Sequence, residues 1–281
     1  MNKKITALLI GALIVISAIG FTGCSTSTQA KPLDDGVLNV GVEATFVPME
    51  YKNDKNTLTG FDIEFGEALA AQLAKDTGKD VKVQWTETAW DGIFNGLNAG
   101  QYDAVISCVS LTKERKDGFY MSTPYISNGI VIVSRTSGAQ AKTAKDLDGK
   151  KVGVQIENTA DYAAQAFKKS DAPNLELKQF DSMIECFTAL EGGQIDYILC
   201  DEPVAEYYAG QKPTVYQVSS DILSNEPVAV CIKKENTDFG KQVDTAIKAM
   251  QDDGTLSKLS EKWFKKDITK DIDAENLKSI Q

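Results

Sequence analysis

One segment occurs twice in this chain. Leu97-Asn98-Ala99-Gly100-Gln101-Tyr102-Asp103-Ala104-Val105-Ile106 matches Leu190-Glu191-Gly192-Gly193-Gln194-Ile195-Asp196-Tyr197-Ile198-Leu199, and both follow L-x-x-G-Q-x-D into an apolar run. In each copy an amphipathic helix ends at glycine and a strand begins. A second echo precedes each copy: Val40-Gly41-Val42-Glu43 and Val152-Gly153-Val154-Gln155, both short apolar strands. Two matched pairs in the same order predict two similar α/β units. Two such units share one cleft, the natural place for a small ligand.

Periodicity fills in the units. From Asp62 a helix sets Phe65, Leu69 and Leu73 on one face and stops near Gly78. Val81 to Trp85 alternates like a strand. The next helix places Trp90, Ile93, Phe94 and Leu97 together and ends at Gly100. Asp103 to Val109 then reads as a nearly continuous apolar strand, as in a parallel sheet covered on both faces. The second unit repeats the plan through Lys151–Val154, a helix from Thr159 to Lys169, Leu175–Phe180, a helix with Met183, Phe187 and Leu190, and Tyr197–Cys200. Between the units runs the β-rich stretch Ile126 to Val133, with Val228 to Ile232 as a later strand. The final helices carry Val243, Ile247 and Met250, then Leu256, Leu259, Trp263 and Phe264. A tail of helices with few strands is expected to pack back on the first unit, so two chain crossings would form a hinge.

The N-terminus reads as an export segment. Met1-Asn2-Lys3-Lys4 is basic, Ile5 to Ile19 is apolar, and Phe21-Thr22-Gly23-Cys24 follows. Glycine directly before cysteine resembles a bacterial lipobox, with Phe21 where leucine is usual. The expectation is a signal peptide over 1–23, lipidation at Cys24 and a polar tether over 24–34; the alternative is a plain secretory signal with an incidental cysteine. Removing it leaves roughly 250 residues, enough for two modest cores.

Composition removes several functions. The net charge is −10, and cutting away Lys3 and Lys4 makes the remainder more acidic. With no basic patch, nucleic-acid binding is not expected. The chain has no histidine, and Cys108, Cys186, Cys200 and Cys231 show no C-x-x-C spacing. Neither a zinc site nor a Cys–His nucleophile is expected, and no cofactor is called for. These cysteines sit in apolar patterns, so they read as buried thiols.

In open α/β sheets, ligands bind beyond the carboxyl ends of the parallel strands. Those ends fall at Glu43 to Phe46, Cys108 to Ser110, Gln155 to Thr159, and Asp201. Arg115 follows on the first unit, and Asp201 stands on the second. A cation and an anion on facing units suit an α-amino acid, whose carboxylate arginine holds bidentately and whose ammonium aspartate accepts. Each residue also has a plainer reading. Arg115 lies among Lys113, Glu114, Lys116 and Asp117, as in a solvated turn. Asp201 before Glu202-Pro203 would cap a helix. Phe46 and Trp90 would be core; Ser110 and Thr159 would be loop residues.

Taken together, Val40-Gly41-Val42-Glu43 through Phe46-x-Pro48, Gly60-Phe61-Asp62-Ile63, Trp90-Asp91-Gly92, Asp103 through Ser110-Leu111-Thr112-x-x-Arg115, Ser122-Thr123-Pro124-Tyr125 and Asp253-Gly254-Thr255-Leu256 resemble the family 3 extracellular solute-binding proteins, amino-acid-capturing components of bacterial ABC importers. The resemblance spans about Asp34 to Lys270. It implies an α/β fold of two Rossmann-like lobes joined by a two-strand hinge, of the type II periplasmic-binding-protein kind. Lobe 1 would cover 35–127 and 228–281, and lobe 2 would cover 128–227. It further implies that Arg115 clamps the ligand carboxylate with Ser110 and backbone N–H groups near Val109 and Thr159. Asp201 would hold the ammonium, Phe46 and Trp90 would form walls, and Glu43 would reach the ammonium or side chain. Ala89-Trp90-Asp91-Gly92 resembles the subgroup for cystine and related polar amino acids. Cys108 stands where a small residue is common, which narrows the pocket or touches ligand, and Glu157-Asn158 replaces a frequent Gly-Thr pair. The implied partners are an amino acid, an ABC permease and, through the lipid, the membrane, with the protein a monomer on the extracytoplasmic face. The enzyme alternative is a dehydratase on the same fold acting on a small cyclic acid.

Overall fold

The computed structural model describes residues 31–280. The expected signal peptide and Cys24, with most of the tether, lie outside the described residues.

The described residues open with β1 (Val37–Val42), then a small antiparallel sheet of β2 (Thr45–Phe46), β3 (Glu50–Lys52) and β4 (Leu58–Thr59). Next come α1 (Phe61–Thr77), β5 (Lys82–Glu87), α2 (Trp90–Ala99) and β6 (Ala104–Val105). A short α3 (Lys113–Gly118) leads into β7 (Phe119–Met121) and, after a crossing, β8 (Ile130–Arg135). The second unit holds β9 (Lys151–Gln155), α4 (Thr159–Lys169), β10 (Glu176–Phe180), α5 (Met183–Glu191), β11 (Tyr197–Asp201), α6 (Glu202–Gln211) and β12 (Tyr216–Val218). The chain then crosses back to β13 (Cys231–Lys233), α7 (Thr237–Asp252) and α8 (Thr255–Phe264).

Two five-stranded sheets result, ordered β5-β1-β6-β13-β7 and β10-β9-β11-β8-β12. In each, three strands are parallel and two antiparallel strands extend one side. β13 pairs with β6 and β7 in the first sheet, and Lys262 of α8 pairs with Glu64 of α1 at 2.6 Å. The crossings run antiparallel, with Val228 N–H donating to Ile126 O at 3.0 Å and Glu226 N–H to Asn128 O at 3.0 Å.

The repeat has a physical basis in both lobes. The Asp103 carboxylate accepts from the N–H of Asn39 at 3.0 Å, and Asp196 accepts from the N–H of Lys151 at 2.9 Å. Each repeat aspartate thus pins β1 or β9, the middle one of its sheet's three parallel strands, near that strand's start. The preceding residue, Tyr102 or Ile195, lies flat over Gly41 or Gly153, where a Cβ would collide with its side chain. The V-G-V and G-Q-x-D echoes are therefore one packing unit used twice.

The expected strand over Asp103–Val109 is shorter than its hydrophobicity implies. The ladder stops at Val105 because the chain turns toward the cleft, with Cys108 at a left-handed φ of 46°. The apolar residues of that run remain buried. The runs Ile126–Val133 and Val228–Ile232 likewise enter their ladders only at Ile130 and Cys231, since their earlier residues form the crossings.

Candidate functional site

The carboxyl ends of β1, β9 and β11 and the turn after β6 converge between the lobes. A tight cavity there is lined by Glu43, Phe46, Trp90, Cys108, Ser110, Arg115, Thr159 and Asp201, all anticipated, and by Ser107, Gln155 and Asn158, which were not. Val109 does not line it; its side chain packs with Trp90, Ile93 and Leu97 in the first-lobe core. A wider cleft of about 510 Å³ opens beside it along Trp90, Phe94, Arg115, Glu157 and Tyr162.

Arg115 sits in α3, whose N-cap Thr112 hydroxyl accepts from the Arg115 N–H at 3.2 Å. Arg115 is half-buried, while Lys113, Glu114, Lys116 and Asp117 around it are exposed. Its Nη1 donates to Ser110 O at 2.9 Å, and the guanidinium lies 5.4 Å from the Trp90 ring centroid and 5.0 Å from that of Phe94. Both aromatic faces attract the cation. Burial presses its pKa below the ordinary arginine value.

Asp201 occupies the N-cap position of α6, yet its carboxylate makes no capping bond. It accepts instead from Asn128 Nδ2 on the first crossing. Burial raises its pKa, while Asn128 and Arg115 oppose the rise. Glu43 also titrates high because it is desolvated, despite bonds from the Thr45 hydroxyl at 2.6 Å and from Gln155 Nε2 at 2.8 Å. The inner cavity thus gathers two desolvated carboxyl groups, with one guanidinium at its edge.

A second layer shapes the floor. The Ser107 hydroxyl donates to Glu50 Oε1 at 2.7 Å and accepts from the Glu43 N–H at 3.0 Å. Asp62, fully buried in α1, accepts from the Cys108 N–H at 2.6 Å and the Tyr125 hydroxyl at 2.9 Å. Desolvation lifts the Asp62 pKa to about 6 against the bonds from Cys108, Tyr125 and Glu50, and desolvation and the neighbouring Asp62 charge push that of Glu50 well above the usual range. A left-handed residue other than glycine costs roughly 1–2 kcal/mol, and these bonds hold Cys108 in that state. All four described cysteines are free and buried.

Glu157 shows why glycine is frequent at its position: its φ is 60°. The Asp161 carboxylate accepts its N–H at 2.9 Å and so keeps the turn without glycine. Asn158 then caps α4, its Oδ1 accepting from the Asp161 N–H at 2.9 Å, while Nδ2 is buried without a partner beside the cavity. Two bonds cross the cleft: Trp90 Nε1 donates to Glu157 O at 3.1 Å, and Gln155 Nε2 donates to Glu43 Oε1.

Two α/β lobes linked by a double crossing, with polar groups of both meeting in one cavity, define a ligand-trapping protein of type II periplasmic-binding-protein fold. The model of the bacterial extracellular solute-binding proteins, family 3, matches residues 38–266. The chain belongs to that family. It is 34% identical to the L-cystine-binding protein TcyJ of Escherichia coli K12, over 93% of this chain and 96% of that one. Among solved structures, an ancestral arginine-binding protein bound to arginine superposes with a TM-score of 0.75 at 35% identity, covering 82% of this chain and 98% of that one. An ancestral amino-acid-binding protein, AncCDT-1, described as a precursor of cyclohexadienyl dehydratase, gives 0.73 at 36% identity, over 83% and 97%.

Proposed function

We propose that this protein captures a polar amino acid outside the cytoplasm, closes its lobes on it and delivers it to an ABC importer. The observation that carries the reading is the placement of Arg115, from one lobe, and Asp201, from the other, on a single enclosed cavity. Arg115 and Ser110, with N–H groups near Val109 and at the Thr159 helix start, suit a carboxylate. Asp201 and Glu43 suit an ammonium, while Phe46 and Trp90 flank the carbon chain. The wider cleft beside Arg115 accommodates a long side chain, in keeping with cystine or a related ligand. In this reading lobe 1 comprises 35–127 and 228–281, and lobe 2 comprises 128–227.

Calorimetry with the twenty amino acids and L-cystine tests the reading, and mass spectrometry of the recovered ligand separates it from the dehydratase alternative that the AncCDT-1 likeness makes concrete. Tight binding with the ligand returned unchanged supports capture; a dehydrated product would replace it with the enzyme. Because Arg115 and Asp201 sit on opposite lobes, only a closed form satisfies both ends of one ligand, and ligand favours closure by those contacts. Small-angle scattering should therefore show a smaller radius of gyration with saturating amino acid. An unchanged profile at confirmed saturation would mean a rigid site.

The Gly23-Cys24 pair after the apolar run supports a lipid anchor on the extracytoplasmic face, with 24–34 as tether. No helix among the described residues is long and apolar enough to cross a membrane. Cys24→Ser should move the protein to the soluble fraction with its ligand affinity intact, since each buried acyl CH₂ contributes about 0.8 kcal/mol to membrane binding. Retention of the variant in the membrane fraction would remove the anchor from the scheme.

A further inference from the structure

Next to the cavity, on the second crossing, stands a carboxyl group that no role above uses. Glu226 is 0% exposed, and neither Oε1 nor Oε2 has a hydrogen-bond partner of good geometry among the described residues. The Thr159 and Ser224 hydroxyls face it and favour its ionised form, but burial outweighs them and lifts its pKa to about 7. The charged groups around it are Asp201, at the end of β11, and Arg115, from α3; the first raises that pKa and the second lowers it. From the other crossing, the Asn128 carbonyl accepts the Glu226 N–H, while its amide binds Asp201. Across the cavity Glu43 adds a further acid. An ionised carboxylate in this place would be desolvated and beside a second carboxylate, with two hydroxyls the only neutral groups to offset this, so the protonated form is favoured.

We propose that Glu226 is the proton-exchanging member of the ammonium subsite: it carries a proton while no cation stands against Asp201 and releases it when the amino group of a ligand settles there. The proposal rests on the reading of Asp201 as the ammonium partner. The O–H bond of Glu226 breaks, its proton passes to the solvent buffer, and the charge left on the carboxylate is balanced by the incoming ammonium. Asp201 and Thr159 then face the cation from the cavity wall, and Glu226 stands behind them on the hinge. Because Glu226 is part of a crossing, the charge state of the hinge follows the occupancy of the cleft.

Ligand lowers the Glu226 pKa, so binding releases protons at pH values between the loaded and free pKa values, and affinity rises with pH across that window. Above pH 7 the curve flattens; below it, affinity falls by about tenfold per pH unit until the loaded form also protonates.

The experiment is calorimetry of the wild type at pH 6.5 with L-cystine, or with L-arginine if L-cystine does not bind, in phosphate and in Bis-Tris, whose ionisation enthalpies differ widely. The amino groups of both probes stay protonated there, so exchanged protons come from the protein. The expected result is a binding enthalpy that differs between buffers, reporting most of one proton released. In Glu226→Gln, checked for folding by its melting curve, that difference disappears and affinity no longer changes between pH 6 and 8. Equal enthalpies in the wild type, or a buffer difference that persists in Glu226→Gln, would overturn the proposal while leaving amino-acid capture standing. Failure of both probes and every other amino acid to bind would overturn the functional reading and this proposal with it.

Discussion

Asp201→Ala should weaken amino-acid binding by about 30-fold to several-thousand-fold, because removing one partner of a buried, hydrogen-bonded charge pair costs roughly 2–5 kcal/mol. The fold should persist. Although Asp201 is the N-cap of α6, its carboxylate makes no capping bond, so the helix keeps all its hydrogen bonds at its start. What is lost is the anion that Asn128 holds toward the cavity, and a ligand ammonium would be left buried with poorer compensation. Asp201→Asn keeps the shape and should lose nearly as much affinity, which separates charge from packing. Calorimetry beside a thermal melt reads both quantities. Near wild-type affinity in either variant would mean that Asp201 does not face the ligand.

Arg115→Lys should weaken binding by roughly 10- to 150-fold, the equivalent of one charge-assisted hydrogen bond at about 1.5–3 kcal/mol. Lysine keeps the charge but cannot present a planar fork while also reaching the Ser110 carbonyl. It further gives up the flat contact with Trp90 and Phe94 that fixes the guanidinium in place. The thermal midpoint should change little, because α3 keeps its Thr112 cap. Binding within about threefold of wild type would mean the ligand carboxylate is held elsewhere, with the Asn158 amide and the α4 N-terminus the next groups to test.

The long elements were legible because their period survives in the sequence. Thr159 to Lys169 is a helix with the bounds its pattern predicts, and α1 ends at Gly78 as expected. The two- and three-residue strands β2, β3, β4, β7 and β12 were not anticipated, since such short ladders leave no alternation to count. Hydrophobicity overran β6 because burial persists after pairing stops, and the turn at Cys108 is a backbone event that its side chain does not announce. At the site, charge and strand ends brought Glu43, Arg115 and Asp201 to one cavity. Gln155 and Asn158 went unassigned although both lie in the strand-end segment already singled out. Glu50, Asp62 and Glu226 were beyond reach for another reason. Each is an acid in an ordinary-looking surface pattern, and only the fold shows that water is excluded from it.

The two bonds across the cleft, Trp90 to the Glu157 carbonyl and Gln155 to Glu43, are made by protein atoms alone. They therefore reward shutting whether or not cargo is aboard. At about 1 kcal/mol net each, the pair shifts the open–shut balance by roughly thirtyfold. An importer that recognises the shut outline meets idle copies as well as laden ones, and idle copies occupy its docking face without delivering anything. Strength in this latch and fidelity of delivery are thus opposed: a firmer clasp retains scarce nutrient longer, and a looser one keeps false arrivals rare.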